Sequence, residues 1–118
     1  MPVYHEQVTV EGVSTEVGGE VVLPPRDLGT MPLRTITVEC AAGEDKAGLA
    51  AASIELAPTQ GGPWIAEDLS QSDIPTLGAG EAASYRMNCA DRWLRVLAQG
   101  AVAEEKTTDV TVYIDAVG

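Results

Sequence analysis

The sequence predicts an all-β fold: an antiparallel β-sandwich of the jelly-roll or immunoglobulin-like type, with about seven to nine short strands and little or no helix. Three observations support this prediction. Apolar residues recur at every second position, turns containing Gly or Pro separate these runs, and no long segment has the spacing of an amphipathic helix. Glycine interrupts the Ala-rich stretch at 78–83, so only a single helical turn, near 68–72, is expected.

Alternation of apolar and polar residues marks strands that have one face on a core and the other in water. In the clearest run, 109–114, Val110, Val112 and Ile114 share one face. The other runs with this pattern are 8–11, 35–40, 52–56 and 85–89. The run 92–97 is apolar partly on both faces, which indicates a strand covered on both sides or one at an interface. The short link at 90–91 predicts a hairpin that joins two of these strands.

The length and composition indicate one domain with an aliphatic core. The chain has 118 residues, of which 45% are hydrophobic but only 4% aromatic, and it contains no Phe. Residues 35–118 are expected to form the sandwich core. Residues 1–34 are expected to supply the first strands, over 8–22, and an extended arm or crossover, over 23–33. Such an arm could add a strand to the sheet edge of a neighbouring molecule.

The charge excludes one class of partner. Seven Lys and Arg stand against eighteen Asp and Glu, a formal net charge of -11. Nucleic-acid binding is therefore not expected, because neutralising phosphates needs clustered cations. The N-terminus lacks the basic and apolar regions of a signal peptide, and no apolar run approaches the roughly 18 residues of a membrane helix. We therefore expect a soluble protein, made in a cytoplasm, with no membrane partner.

No combination of residues predicts an enzyme. His5 is the only histidine, it lies near the terminus, and no Gly-x-Ser-x-Gly elbow or phosphate-binding glycine loop is present. A pair of catalytic acids is the remaining possibility, and the candidates near Trp64 are Glu55, Glu67 and Asp68. We expect no catalytic residues and no cofactor, and replacement of His5 would test a histidine-based mechanism.

Metal binding is not predicted either. The loop acids that could form a calcium site in the folded chain are Glu67 and Asp68 with Asp73, or Glu44 with Asp45. Solvated loop acids are the simpler interpretation. The two cysteines, Cys40 and Cys89, lie on predicted inward faces and lack a metal-binding spacing, so we expect reduced thiols that pack as small hydrophobic groups. A disulfide between facing strands is the alternative.

The aromatic and basic residues are the best candidates for a contact surface. Trp64 and Trp93 are two of five aromatic residues, and three interpretations remain open: core packing, an interface anchor or a sugar-stacking platform. Several arginines fall on or beside predicted strands, where they could dock onto an acidic partner or pair internally. The expected interface residues are Trp93, Arg92, Arg95, Arg86, Leu23, Pro24, Pro25, Leu28 and Leu33.

The strand layout resembles that of small β-sandwich structural proteins of tailed-phage virions, especially head decoration or cement proteins. The residues that carry the resemblance are Ser53-Ile54-Glu55-Leu56, Gly61-Gly62-Pro63-Trp64-Ile65, Tyr85-Arg86-Met87-Asn88 and Arg92-Trp93-Leu94-Arg95-Val96. The resemblance implies a non-enzymatic protein of the virion that binds the outer capsid surface and stabilises the shell. Its partners would be the major capsid protein or another virion protein, and a homo-oligomer, typically a trimer, would be expected.

The same layout occurs in carbohydrate-binding and adhesion modules. A module of this kind, with Trp64 as the stacking platform, is the alternative function that the sequence suggests.

Overall fold

The fold is a β-sandwich of two four-stranded antiparallel sheets, seen in a computed structural model that describes residues 2–118. Sheet A contains β1 (Val3–Val10), β8 (Val110–Val117), β3 (Leu33–Cys40) and β6 (Ala82–Asn88), in that order. Sheet B contains β2 (Glu20–Asp27), β7 (Trp93–Gly100), β4 (Leu49–Ala57) and the two-residue β5 (Ile65–Ala66). The predicted fold class is therefore confirmed.

The strand order is that of a jelly roll. With the single exception of β4 to β5, each connection between successive strands leaves one sheet and enters the other. The chain thus wraps around the core, and strands distant in sequence become neighbours. For example, β8 lies between β1 and β3, with Val8 and Val38 both opposite Val112.

The core between the sheets is aliphatic, as the missing Phe predicts. The largest fully buried side chains are Leu23, Leu28, Ile36, Ile54, Ile74, Leu94, Ile114, Val22, Val38, Val96, Val110 and Val112. The alternating pattern places Leu94, Val96 and Ala98 of β7 inward, while Trp93 and Arg95 of that strand lie on the outer face of sheet B. The tryptophans therefore do not fill the core.

Of the two alternatives for residues 23–33, an extended arm or a crossover, the arm is wrong, and the crossover describes only residues 28–32, which lead from β2 in sheet B to β3 in sheet A. Residues 20–27 form β2 and pair with β7, although two register shifts interrupt the ladder around 21–26. Leu23 and Leu28 are 0% exposed, so they belong to this chain's own core. Pro24 and Pro25 follow Leu23, but the strand continues because β2 is an edge strand, where a missing N–H is tolerated.

The predicted hairpin at 90–91 is also wrong. β6 pairs with β3 in sheet A, whereas β7 pairs with β2 and β4 in sheet B, so the link between β6 and β7 crosses the sandwich. A short link and two alternating runs are compatible with either arrangement, and inter-sheet packing decides between them.

The single helical turn also differs from expectation, since it lies at Ile74–Thr76 rather than near 68–72.

A buried arginine organises this crossing. Arg34 is 2% exposed, and its Nε donates to the carbonyl oxygen of Met31 at 2.9 Å. Its Nη1 donates to Sγ of Cys89 at 3.0 Å, and its Nη2 donates to the carbonyl oxygen of Asp91 at 2.5 Å. The guanidinium therefore connects the β2–β3 loop with the β6–β7 link and provides donors where turning backbone would otherwise be left unpaired.

Hydrogen-bonded side chains span both open sides of the sandwich. On one side, Arg26 of β2 holds Glu6 of β1 through two bonds, Nε to Oε1 at 2.7 Å and Nη2 to Oε2 at 3.0 Å. On the other side, the hydroxyl of Tyr85 in β6 donates to Oε2 of Glu67, just after β5, at 2.9 Å. Each contact joins an edge strand of sheet A to the edge of sheet B.

We predict that Arg34→Ala lowers the free energy of unfolding by about 3 kcal/mol, because it leaves buried carbonyl groups without donors and opens a cavity. Urea denaturation measures the loss. Arg34→Met is the matched control, since it keeps most of the side-chain volume without the donors. A Met variant as stable as the wild type would mean that the hydrogen bonds add nothing beyond packing.

We predict that the Glu6–Arg26 pair makes folding stability fall in acid. The hydrogen bonds from Arg26 hold the pKa of the Glu6 carboxyl below its ordinary value of 4.5, against the opposing effect of burial. A depressed folded-state pKa adds stability above the unfolded-state pKa, and this stability is lost as pH falls through the folded-state value. Glu6→Gln should therefore flatten the decline in unfolding free energy below about pH 4.5. An unchanged slope in urea titrations would contradict this assignment.

Candidate functional site

The outer face of sheet B carries the most distinctive side-chain cluster. Arg95 of β7 lies directly across from Glu55 of β4, and its Nε contacts Oε1 of Glu55 at 2.6 Å. Trp64, which leads into β5, packs its ring against the same guanidinium, with Cζ of Arg95 4.3 Å from the ring centroid. We call Trp64, Arg95 and Glu55 the Trp64 cluster.

The Trp64 cluster is partly shielded from solvent. The Arg95 and Glu55 side chains are 25% and 18% exposed, and Trp64 is half-buried. A cation over an indole face, restrained by a carboxylate, contributes about 1–2 kcal/mol and fixes the orientation of the ring. Local sequence aids this arrangement, because Gly62 adopts a φ of 104° in the turn that delivers Trp64. The cluster therefore holds an aromatic ring in a defined position on a flat sheet face.

A shallow depression occupies the same face, farther along β4 and β7. Its volume is about 190 Å³. The residues that line it are Gly18, Ala51, Ala52, Ser53, Leu97, Ala98 and Gln99. All are uncharged, in a chain where eighteen residues are acidic. The surface beside the Trp64 cluster is thus uncharged and mainly apolar, with Ser53 and Gln99 as its hydrogen-bonding side chains.

The predicted basic contact residues have partners within the chain. Nη2 of Arg92 contacts Oδ2 of Asp27 at 2.6 Å, and Arg95 belongs to the Trp64 cluster. Internal pairing, one of the two arrangements predicted for these arginines, is therefore present at both residues, and docking on an acidic partner stays a prediction. Arg86 lies on β6, not beside Arg92 in a hairpin; it is exposed and makes no salt bridge with any residue in the 2–118 range.

The remaining predicted contact residues fall in different places. Trp93 is half-buried on the outer face of sheet B, Pro24 is exposed and Pro25 is partly buried on β2. Leu33 is 48% exposed on the outer face of sheet A. Of the predicted interface residues, Leu23 and Leu28 are the two that are fully buried and therefore inaccessible to a partner.

Sequence reasoning missed an apolar row at one end of sheet A. Val3, Val117 and Leu33 are successive cross-strand neighbours on β1, β8 and β3. Val3 is 70% exposed and Leu33 is 48% exposed, with Val117 half-buried between them. These residues are distant in sequence, so the row could be found only once the position of β8 between β1 and β3 was known. We call these three residues the apolar row.

The candidate catalytic and metal-binding residues are dispersed. His5 lies on β1, with its Nδ1 2.6 Å from Oδ1 of Asp115, and both side chains are more than half exposed. Glu55 is held by Arg95, and Glu67 accepts the Tyr85 bond. Within the described part of the chain, no group of three or more His, Cys, Asp or Glu side chains could hold a metal ion.

Both cysteines are free, as predicted. Cys40 is buried, and its burial raises the pKa of the thiol to about 11. Cys89 is half-buried and lines a surface cavity of about 320 Å³ beside Gly29, Pro32 and Arg92. Burial raises the pKa of the Cys89 thiol despite the opposing effect of Arg34, so neither residue has the properties of a reactive thiolate.

Comparison with known proteins identifies no family for this chain. No family model matches the chain. No curated protein matches it. A solved structure with some similarity is a carbohydrate-binding module of lichenase 5A from Cellvibrio mixtus, in complex with cellotriose. It has 13% sequence identity and a TM-score of 0.39, and the alignment covers 96% of this chain and 91% of the module. A likeness at this level carries no functional argument.

No helix among residues 2–118 is long and apolar enough to cross a membrane.

Proposed function

We propose that this chain is a non-enzymatic structural protein of a tailed-phage virion, a decoration protein that attaches to the outer capsid surface and stabilises the shell. The virion setting comes from the resemblance of the sequence. The observation that supports attachment is the apolar row, in which three adjacent strands present Val3, Val117 and Leu33 to solvent at one end of sheet A. Covering such a row with a partner surface releases water from apolar groups and favours binding.

The surroundings of the apolar row suit contact with a protein. The next row along sheet A is polar, with His5 and Asp115 paired beside Thr35. An apolar centre with a polar rim is the usual composition of a protein interface. The charge of -11 on the rest of the molecule would limit non-specific association. The proposed partner is the major capsid protein or another virion protein.

We predict that Leu33→Asp releases the protein from virus particles, because a charge at the centre of the contact must be desolvated. The measurement is co-sedimentation of the purified chain with tailed-phage particles from its source. We expect the affinity of the variant for the particles to be about tenfold weaker than that of the wild type. Gln7→Asp is the matched control, since it adds the same charge to the exposed face of β1, away from the apolar row. Equal loss in both variants would contradict this surface, and failure of the wild type to sediment would contradict the function.

A carbohydrate-binding or adhesion module is the second candidate, and the Trp64 cluster is the observation that favours it. A pyranose ring stacks its C–H groups on an indole face and satisfies its hydroxyls with neighbouring polar side chains. Arg95 occupies one face of the Trp64 ring, so a sugar would use the opposite face or the ring edge. Ser53 and Gln99, in the adjoining depression, would supply neutral hydrogen-bonding groups.

We predict that, if this second function holds, Trp64→Ala abolishes binding to a panel of neutral oligosaccharides while the chain stays folded, with its thermal midpoint lowered only by the several degrees that the lost contact with Arg95 accounts for. Trp93→Ala is the matched control, because it removes the other tryptophan from the same sheet face and leaves the Trp64 cluster intact. A glycan array and titration calorimetry measure sugar binding by the two variants, and scanning calorimetry measures their thermal midpoints. A wild-type protein that binds no glycan, or equal loss in the two variants, would argue against Trp64 as the platform.

A further inference from the structure

The four edge strands of the sandwich differ in how they avoid pairing with another molecule. An exposed edge offers unpaired N–H and C=O groups, and proteins usually protect it with proline, bulges, short length or charged side chains, including inward-pointing ones. β2 has Pro24, Pro25 and two register shifts, and β5 has only two residues. β1 carries the inward-facing Glu6, held by Arg26. Three of the edges therefore carry a recognised protective feature.

β6 carries none of the features that protect the other three edges, and its one charged side chain is Arg86. It pairs with β3 over seven consecutive residues, Ala82–Asn88, without a register shift. It contains no Pro, no Gly and no acid. In the part of the chain that the structure describes, no loop backbone hydrogen-bonds to these seven residues. Its inward residues Ala83, Tyr85 and Met87 are only partly buried, and the bond from the Tyr85 hydroxyl to Glu67 reaches this side of the strand.

We infer that β6 is a self-pairing edge, where a second copy of this chain adds its own β6 antiparallel about a two-fold axis at Tyr85. The second copy is the occupant that the strand sequence fits. In this register Ala83 faces Met87 of the second copy, which places a small side chain opposite a large one. Ser84 faces Arg86 of the second copy, which places a hydroxyl opposite a cation, and the two Tyr85 rings form an aromatic cross-strand pair.

Charge also selects this edge. Two copies that each carry a charge of -11 repel one another over most of their surfaces. β6 has Arg86 as its only charged residue, and Arg86 makes no salt bridge within residues 2–118. Pairing here would join the two copies of sheet A into one continuous eight-stranded sheet, with a closed two-fold arrangement. This inference is independent of both proposed functions, and it favours a dimer over the trimer that the resemblance implies.

The test introduces a charge of either sign at Ser84. Ser84→Lys places a cation opposite Arg86 of the second copy, and the two-fold axis repeats the pair, so the dimer dissociation constant should rise about tenfold. Ser84→Asp places a carboxylate there and should lower the constant. Gln7→Lys, the same charge change on β1 at the other edge of sheet A, should leave it unchanged. Sedimentation velocity over a micromolar to millimolar range measures all three, after circular dichroism has established folding.

Hydrogen exchange locates the contact. Amides of Ala82–Asn88 should become more protected as the concentration of the wild-type protein rises, while those of Val3–Val10 should not. A monomer over the whole range, a trimer, equal effects of Ser84→Lys and Gln7→Lys, or protection at Val3–Val10 instead would each overturn the inference. A rise in dissociation constant with Lys, a fall with Asp and protection confined to β6 would support it.

Discussion

The close packing of two aliphatic sheet faces is the constraint on which the rest of this structure depends. With no Phe in the chain, Val, Leu and Ile side chains such as Leu94, Ile114 and Val112 fill the layer between the sheets. Branched aliphatic side chains interdigitate at high density and fill this layer without an indole, and the alternation of β7 places Leu94 inward and Trp93 outward. Both tryptophans therefore lie on the outer face of sheet B, where they are available for other contacts.

The jelly-roll winding imposes a second demand, because six of the seven connections must carry polar backbone from one sheet to the other. Specific side chains meet this demand at each end of the sandwich. Arg34 bonds to the links at one end. At the other end, Asp109 accepts from the backbone N–H of Gly12 and pairs with Lys46 at 2.8 Å. Charged groups here satisfy backbone and one another, so they are less available to partners than their number suggests.

The outer faces of the two sheets carry different candidate binding surfaces. The outer face of sheet A provides an apolar row at one end and an unprotected edge at β6, both suited to protein contacts. The outer face of sheet B provides an oriented indole beside an uncharged depression. These surfaces do not overlap, so one molecule could use both. Attachment to a shell and self-pairing at β6 are likewise compatible, because the apolar row and the β6 edge involve different strands.

The sequence by itself determined the all-β class and the aliphatic core, because alternation and composition act locally and do not depend on which strands pair. It predicted most strands close to their observed bounds, including β3 and β8. It could not determine that β6 and β7 lie in different sheets, that Leu23 and Leu28 are core residues, or that Arg95 is held by Glu55 and Trp64. Each depends on contacts between residues far apart in the chain, and only the packing of the sheets selects among the pairings that a local pattern allows. The apolar row is the clearest case, since Val3, Leu33 and Val117 become neighbours only when β8 inserts between β1 and β3.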